Sequence, residues 1–291
     1  MDDLTALYCS VDDFWNVFKE TWEQHLIESG KSKRGPGSLL SIPEMMTILI
    51  LFHQSNYRTF KHFYKDYLCK HLTKEFPKLL SYSRFVNLKK GLFIPLFGYL
   101  LHNRGEVTGI SFVDSTKLQV CHNKRIPRNK VFKKSAKRGK TTAGWFFGFK
   151  LHLIINEKGE ILSFLLTQGN VADVAVLETL SKGVVGKLFG DKGYISSELA
   201  QTLLKKGLEL FTTLRNNMKQ KLLSITDRIL LRKRVLIETV NDQLKNISQI
   251  EHSRHRSPAN FIVNMLGGLA AYTMQPKKPS IFQDTLELSL V

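Results

Sequence analysis

Three carboxylates in this sequence stand where carboxylates are costly. Asp114 interrupts the apolar run Ile110-Ser-Phe-Val-Asp-Ser-Thr, and Asp191 closes Val184-Val-Gly-Lys-Leu-Phe-Gly-Asp. Glu238 sits in Arg232-Lys-Arg-Val-Leu-Ile-Glu, whose pattern is helical. A carboxylate in or beside a strand core gives up hydration and needs compensation. Three together form an all-oxygen donor set suited to a hard divalent cation, Mg²⁺ first and Mn²⁺ second. Two such ions held ~4 Å apart suit in-line displacement at phosphorus, one activating the attacking water or 3′-hydroxyl and the other relieving the leaving oxygen. The expected chemistry is therefore metal-dependent transfer at phosphodiesters.

The surroundings agree with a polyanionic substrate. Arg234, Glu238, Asn241 and Lys245 follow at spacings of four, three and four, which puts them on one helix face. Arg234 and Lys245 then flank the third acid and are suited to grip phosphates beside the scissile bond. The chain holds 43 Lys and Arg against 25 Asp and Glu, a net charge of +18, and such an excess attracts polyanions, nucleic acid most commonly, although ribosomal and membrane-surface proteins can be as basic. Nine basic residues lie between Lys124 and Lys140, among them Arg125, Arg128, Lys133, Lys134, Lys137 and Arg138. Pro127 and Gly139 break regular structure there, so the segment is expected to be a loop that holds DNA backbone.

Other classes are excluded. Cys9, Cys69 and Cys121 are odd in number, far apart and without C-x-x-C spacing, which rules out a disulfide framework or a zinc site. The start Met-Asp-Asp is acidic, and the apolar stretch from Phe261 to Met274 is too short to span a bilayer and contains Asn264. It reads as a buried helix. No membrane partner is expected, and the localisation expected is cytoplasmic, on the nucleoid when bound to DNA.

The elements that must position these residues fall into two blocks and a tail. Residues 1–105 read as all-α. Leu7, Val11, Phe14, Trp15 and Phe18 recur at helical spacing, and Lys31-Ser-Lys-Arg-Gly-Pro-Gly is a polar break. Ser41-Ile-Pro-Glu44 has the form of a capping box. Tyr57, Phe60, Phe63, Tyr64 and Tyr67 make an aromatic stripe best explained by packing between helices. Ser81-Tyr-Ser-Arg-Phe-Val-Asn-Leu-Lys-Lys reads as the second helix of a helix-turn-helix, with Arg84, Asn87, Lys89 and Lys90 on its polar face for DNA.

From 106 to 275 the pattern is α/β. Strands are expected over 109–120, 144–155 and 161–166, the last two as a hairpin across Asn156-Glu-Lys-Gly. A helix over 173–181, a strand ending at Asp191, a helix over 196–206, a strand over 208–214 and one long helix over 218–245 follow. Along the second strand Lys150 and His152 alternate, so both face one side, while Asp173 reads as a helix N-cap or a support of the site. These strands make a mixed five-stranded sheet flanked by helices. One Asp within the first strand, one at the end of the fourth and a Glu on a later helix give an RNase H-like layout. Residues 276–291 are a tail.

Three blocks of the sequence resemble the DDE transposases of short bacterial insertion sequences: Val113-Asp114-Ser115-Thr116, then Gly190-Asp191-Lys192-Gly193-Tyr194, then Arg234, Glu238 and Lys245 at fixed spacing. The third block departs from the family at Leu231, where members often carry Tyr. The resemblance implies a transposase that cleaves insertion-sequence ends and joins them to target DNA, with Asp114, Asp191 and Glu238 as metal-holding catalytic acids. It implies terminal inverted repeats and target DNA as partners, and a homodimer or larger assembly on paired ends. A nuclease of the same fold that cuts without joining, or a non-catalytic DNA-binding descendant, are the rival expectations.

Overall fold

The structure, a computed structural model, describes residues 4–28, 39–142, 144–213, 222–251 and 255–281. The polar break at 31–37, the start of the long helix expected from 218, His252 and residues 282–291 lie outside the described residues. Two compact units emerge, one of residues 1–103 with 244–275 and one of 104–243 with 276–291. They divide the chain differently from the blocks 1–105, 106–275 and 276–291, because residues 244–275 pack with the N-terminal helices.

The helical unit is built from α1 (Leu4–Glu28), α2 (Ile42–Gln54), the short α3 (Phe60–His62) and α4 (Cys69–His71) around a π-helical stretch, α5 (Tyr82–Leu88) and α6 (Phe93–His102). Ser41 caps α2 as expected: its hydroxyl accepts the Glu44 N–H at 3.2 Å and the Glu44 carboxylate accepts the Ser41 N–H at 2.6 Å. Phe60, Phe63 and Tyr64 are buried and pack edge and tilted against Phe52 and Phe85, so the aromatic stripe is core. Lys89 departs from expectation. It does not sit on a polar face but is 4% exposed, with its ammonium 4.7 Å from the Phe60 ring centre.

The sheet unit holds β1 (Ile110–Cys121), β2 (Lys137–Thr141), β3 (Gly144–Asn156), β4 (Ile161–Gln168), β5 (Gly186–Gly190) and β6 (Leu208–Thr212), with α7 (Asp173–Leu180) and α8 (Ser197–Lys205). The strand order is β2-β3-β1-β5-β6, with β4 also on β3. β1 is antiparallel to β3, while β1, β5 and β6 run parallel, so the sheet is mixed as expected. It has six strands rather than five. The extra one, β2, forms inside the basic segment expected to be loop: β2 pairs with 144–148 of β3, and β4 takes the rest of the same edge. Gly139 is required there, since a β-carbon on it would lie 2.1 Å from the Gly169 carbonyl oxygen.

Val113, Ile154, Leu177, Leu188 and Leu203 make one core beneath α7 and α8. The long helix expected over 218–245 is instead two, α9 (Ile225–Lys233) and α10 (Val235–Asn246), with a break at Arg234. After it, α11 (Pro258–Thr273) is buried along most of its length in the helical unit. Among the described residues, no helix is long and apolar enough to cross a membrane. Cys9, Cys69 and Cys121 are free.

Candidate active site

The sheet brings two of the candidate acids to one level. β1 and β5 pair in parallel from Ile110↔Lys187 to Phe112↔Phe189. Asp114 and Asp191 each stand two residues beyond that last pair. Alternate residues of a strand face opposite sides. Val113 therefore enters the core under α7 and α8, and Asp114 turns to the other side, where the Asn241 amide of α10 donates to its Oδ2 at 3.0 Å. Asp191 caps a short 3₁₀ turn (Lys192–Tyr194), its Oδ1 accepting the Gly193 N–H at 2.8 Å.

Electrostatics ties the third acid to these two. Burial pushes the Asp114 carboxyl up to about 6, and Asp191 and Glu238 add repulsion. The Ser115 backbone N–H and the Arg234 guanidinium pull the other way. Glu238 itself is half exposed and held by Arg234, with guanidinium and carboxylate 2.7 Å apart. Arg234 lies at the break between α9 and α10, yet its side chain still meets Glu238 four residues on. Lys245 lies on α10 in the part that belongs to the helical unit, 3.7 Å from the Glu251 carboxylate.

The donors fit a hard divalent cation in kind. All are oxygens, the Asn241 Oδ1 beside Asp114 is buried with no hydrogen-bond partner among the described residues, and like charges act on Asp114. As they stand, however, no three of His, Cys, Asp and Glu among the described residues are grouped to hold a metal ion. Glu238 is paired with Arg234 instead.

The candidate DNA contacts are distributed. Arg84 is exposed on α5 in the helical unit, whereas buried Lys89 is withdrawn from it. In the sheet unit all nine basic residues from Lys124 to Lys140 are exposed. Lys124, Arg125 and Arg128 lie on a 3₁₀ turn (Asn123–Arg128), and Lys137 and Arg138 on β2. Lys133, Lys137 and Arg138 line an open cavity of about 610 Å³ with Phe147 and Asn170. Lys134 is exposed beside them. Trp145 is 61% exposed, while Phe146 and Phe147 are core.

The partners of Asp173 were not legible in the sequence. Asp173 is no N-cap: that position is Ala172, and the Asp173 carboxylate accepts from Ser115 and Lys150. His152 is fully buried, with Nε2 2.9 Å from the Thr167 hydroxyl. The alternation of Lys150 and His152 was the available signal, since both face this carboxylate.

The family described as a transposase DDE domain matches residues 104–258, more than half of the 291-residue chain, and the match spans Asp114, Asp191 and Glu238. No curated protein matches the chain. The chain belongs to the transposase DDE domain family.

Proposed function

We propose that this protein cleaves DNA at the ends of an insertion sequence and joins the freed 3′-hydroxyls to target DNA, with Asp114, Asp191 and Glu238 as the acids that hold Mg²⁺, or Mn²⁺ in its place. The observation that carries the reading is Asp114 itself. Its carboxyl is desolvated in the central strand and acted on by two further carboxylates and a guanidinium, inside a transposase DDE domain. A protein pays for such a group where a reaction uses it.

When bound, a divalent cation pair supplies Lewis-acid activation of the attacking oxygen and charge relief at the leaving oxygen. The chain's own residues supply the rest. Arg234 has two claims on it, Glu238 in the free protein and a phosphate in the complex. A phosphate that takes the guanidinium releases Glu238 to turn toward the aspartates. Asn241 holds the Asp114 carboxylate in orientation. Lys124, Arg125, Arg128, Lys133, Lys134, Lys137 and Arg138 bind the backbone near the reacting phosphate, and Lys245 of the helical unit binds a DNA phosphate. Arg84 and its helix in the 1–105 region contact the terminal inverted repeats, and paired ends call for two or more copies.

The test is strand joining. Full-length protein is mixed with labelled duplex carrying the ends that flank its own gene, target plasmid and Mg²⁺, with Asp191→Asn as control. Joined product from the wild type alone supports the proposal. Cleavage without joining would make the protein a nuclease, and binding with neither reaction in Mg²⁺ or Mn²⁺ would leave a DNA-binding protein.

A further inference from the structure

Beside the two aspartates lies a carboxylate that the proposed chemistry does not use. Asp173 opens α7, and its side chain is 24% exposed. Its Oδ1 accepts the Ser115 hydroxyl at 2.8 Å and the Lys150 ammonium at 3.0 Å, and the His152 Nδ1 stands 3.7 Å from the same oxygen. Lys150 is held further by the Val171 carbonyl at 3.0 Å. Ser115 directly follows Asp114 on β1. The other oxygen, Oδ2, looks toward Asp191: a β-carbon on Gly193 would lie 3.6 Å from it and 2.9 Å from the Asp191 Oδ1. The two carboxylates thus flank one glycine, whose N–H fixes Asp191.

An acid in the first turn of a helix is ordinarily explained by the helix dipole. That account does not cover a carboxylate that reaches 58 residues back to a strand hydroxyl and 23 residues back to a lysine. Nor does stability alone, since a partly buried ion pair returns little net energy. What places this carboxylate at the site is the Ser115 bond, one residue from Asp114, and the approach to Gly193 beside Asp191.

We propose that Asp173 is a positioning residue for phosphoryl transfer, fixing the Asp114 strand through Ser115 and the Asp191 turn across Gly193, with Lys150 as its clamp. The proposal rests on the reading that Asp114 and Asp191 hold divalent cations. Asp173 touches neither DNA nor cation in this role. It keeps two ligands at the spacing that the cations require, and a misplacement of ~1 Å in such a site costs about 10²-fold in rate.

The experiment uses full-length protein with two probes: Mn²⁺ alone, followed by electron paramagnetic resonance, and cleavage of labelled end DNA in Mg²⁺. Wild type and Asp191→Asn come first. A wild type that neither binds Mn²⁺ nor cleaves sinks the metal-site reading, and this proposal with it. Given a working wild type, Asp173→Asn is expected to weaken Mn²⁺ binding about tenfold, in the range seen for groups that orient metal ligands. It should lower kcat by about 10² while KM for DNA stays within about twofold. Ser115→Ala, which removes one arm of the clamp, is expected to lower kcat about tenfold, and the double variant to be no worse than Asp173→Asn, since both act through one contact. Wild-type Mn²⁺ affinity and kcat in the folded Asp173→Asn protein overturn the proposal and leave the metal site standing. If Asp173→Asn does not fold, Ser115→Ala decides by the same two readouts.

Discussion

The two units treat buried ionisable groups in opposite ways. In the helical unit His53, Lys89 and His255 lose water with no carboxylate acting on them. Burial and the Lys89 charge push His53 down to about 4, and burial with Lys89 and His53 pushes His255 to about 3. Burial alone brings Lys89 to about 8. In the sheet unit two buried groups have a charge of opposite sign against them. Asp114 has Arg234, and His152, pushed by burial to about 4, has Asp173. At pH 7 the two histidines of the first unit are neutral packing and Lys89 is a desolvated charge, whereas Asp114 and His152 of the second are held in a set geometry by charged partners. Only the second arrangement has a use for chemistry.

Acid should separate the units most strongly. A histidine whose folded value lies below its ordinary 6.5 contributes stability that is complete above 6.5 and lost as pH falls toward the folded value. His53 and His255 each lose about 3 kcal/mol between pH 6.5 and 4 in this way. Nothing in the helical unit opposes them. In the sheet unit His152 has the same sign, but Asp114 has the other: its folded value of about 6 lies above 3.8, so its contribution grows as pH falls through 6. Hydrogen exchange read peptide by peptide, corrected for intrinsic rate, should show the helical unit loosening from pH 7 to 4.5 while the sheet unit changes little. Parallel loosening of both would remove the contrast.

Asp114→Asn sharpens it from the other side. Loss of a metal-holding carboxylate should lower cleavage by at least about 10³-fold, some 4 kcal/mol of transition-state stabilisation. The same change should stabilise the metal-free sheet unit at pH 7, by up to about 3 kcal/mol, because the ionised carboxyl is the costly form there. Activity assays and urea unfolding of one preparation give both numbers. A variant that loses activity and stability together would make Asp114 a structural residue.

Lys89→Met tests the helical unit alone. With its folded value near 8, Lys89 is charged at pH 7 and bears its whole burial cost, which shrinks as pH rises through 8 and is gone above 10.5. Met keeps a chain of similar length against Phe60 and gives up a cation–π contact of about 1 kcal/mol. The expected net gain is about 2 kcal/mol at pH 7, read as a rise in Tm. The variant should also soften the acid response, because Lys89 is one of the charges that holds both histidines down.

What the sequence made legible follows the same division. Alternation in β3 and β4, the turn between them and the apolar run into Asp191 are local patterns, and they stand close to where they were expected. So does the Ser41–Glu44 box. β2 was hidden because its five residues, Lys-Arg-Gly-Lys-Thr, carry no apolar alternation, and its edge is set by β3. The break at Arg234 was hidden because helical spacing continues across it without Gly or Pro. Lys89 misled because a lysine stem is apolar enough to be buried. Of the candidate site, the acids and their charged neighbours were legible as residue types. The Arg234 grip on Glu238 is a local pair four residues apart, whereas the Asn241 bond to Asp114 and the Asp173 cluster are tertiary facts that join residues 127 and 58 positions apart.

Ser41→Ala is the smallest perturbation and the one that calibrates the others. It removes the hydroxyl that accepts the Glu44 N–H and leaves the backbone N–H of residue 41 still donating to the Glu44 carboxylate at the start of α2. Loss of such a cap costs about 1 kcal/mol. α2 carries His53 at its end, so the loss falls in the same helix as one of the two acid-sensitive histidines. The cost of a lost hydroxyl cap should be the same from pH 5 to 8. Urea unfolding at pH 5.5, 6.5 and 7.5 should therefore give curves displaced by a constant amount from the wild type. A displacement that grows as pH falls would mean that the cap and His53 are coupled through α2, and the acid response would then belong to the helix as a whole rather than to its buried histidine.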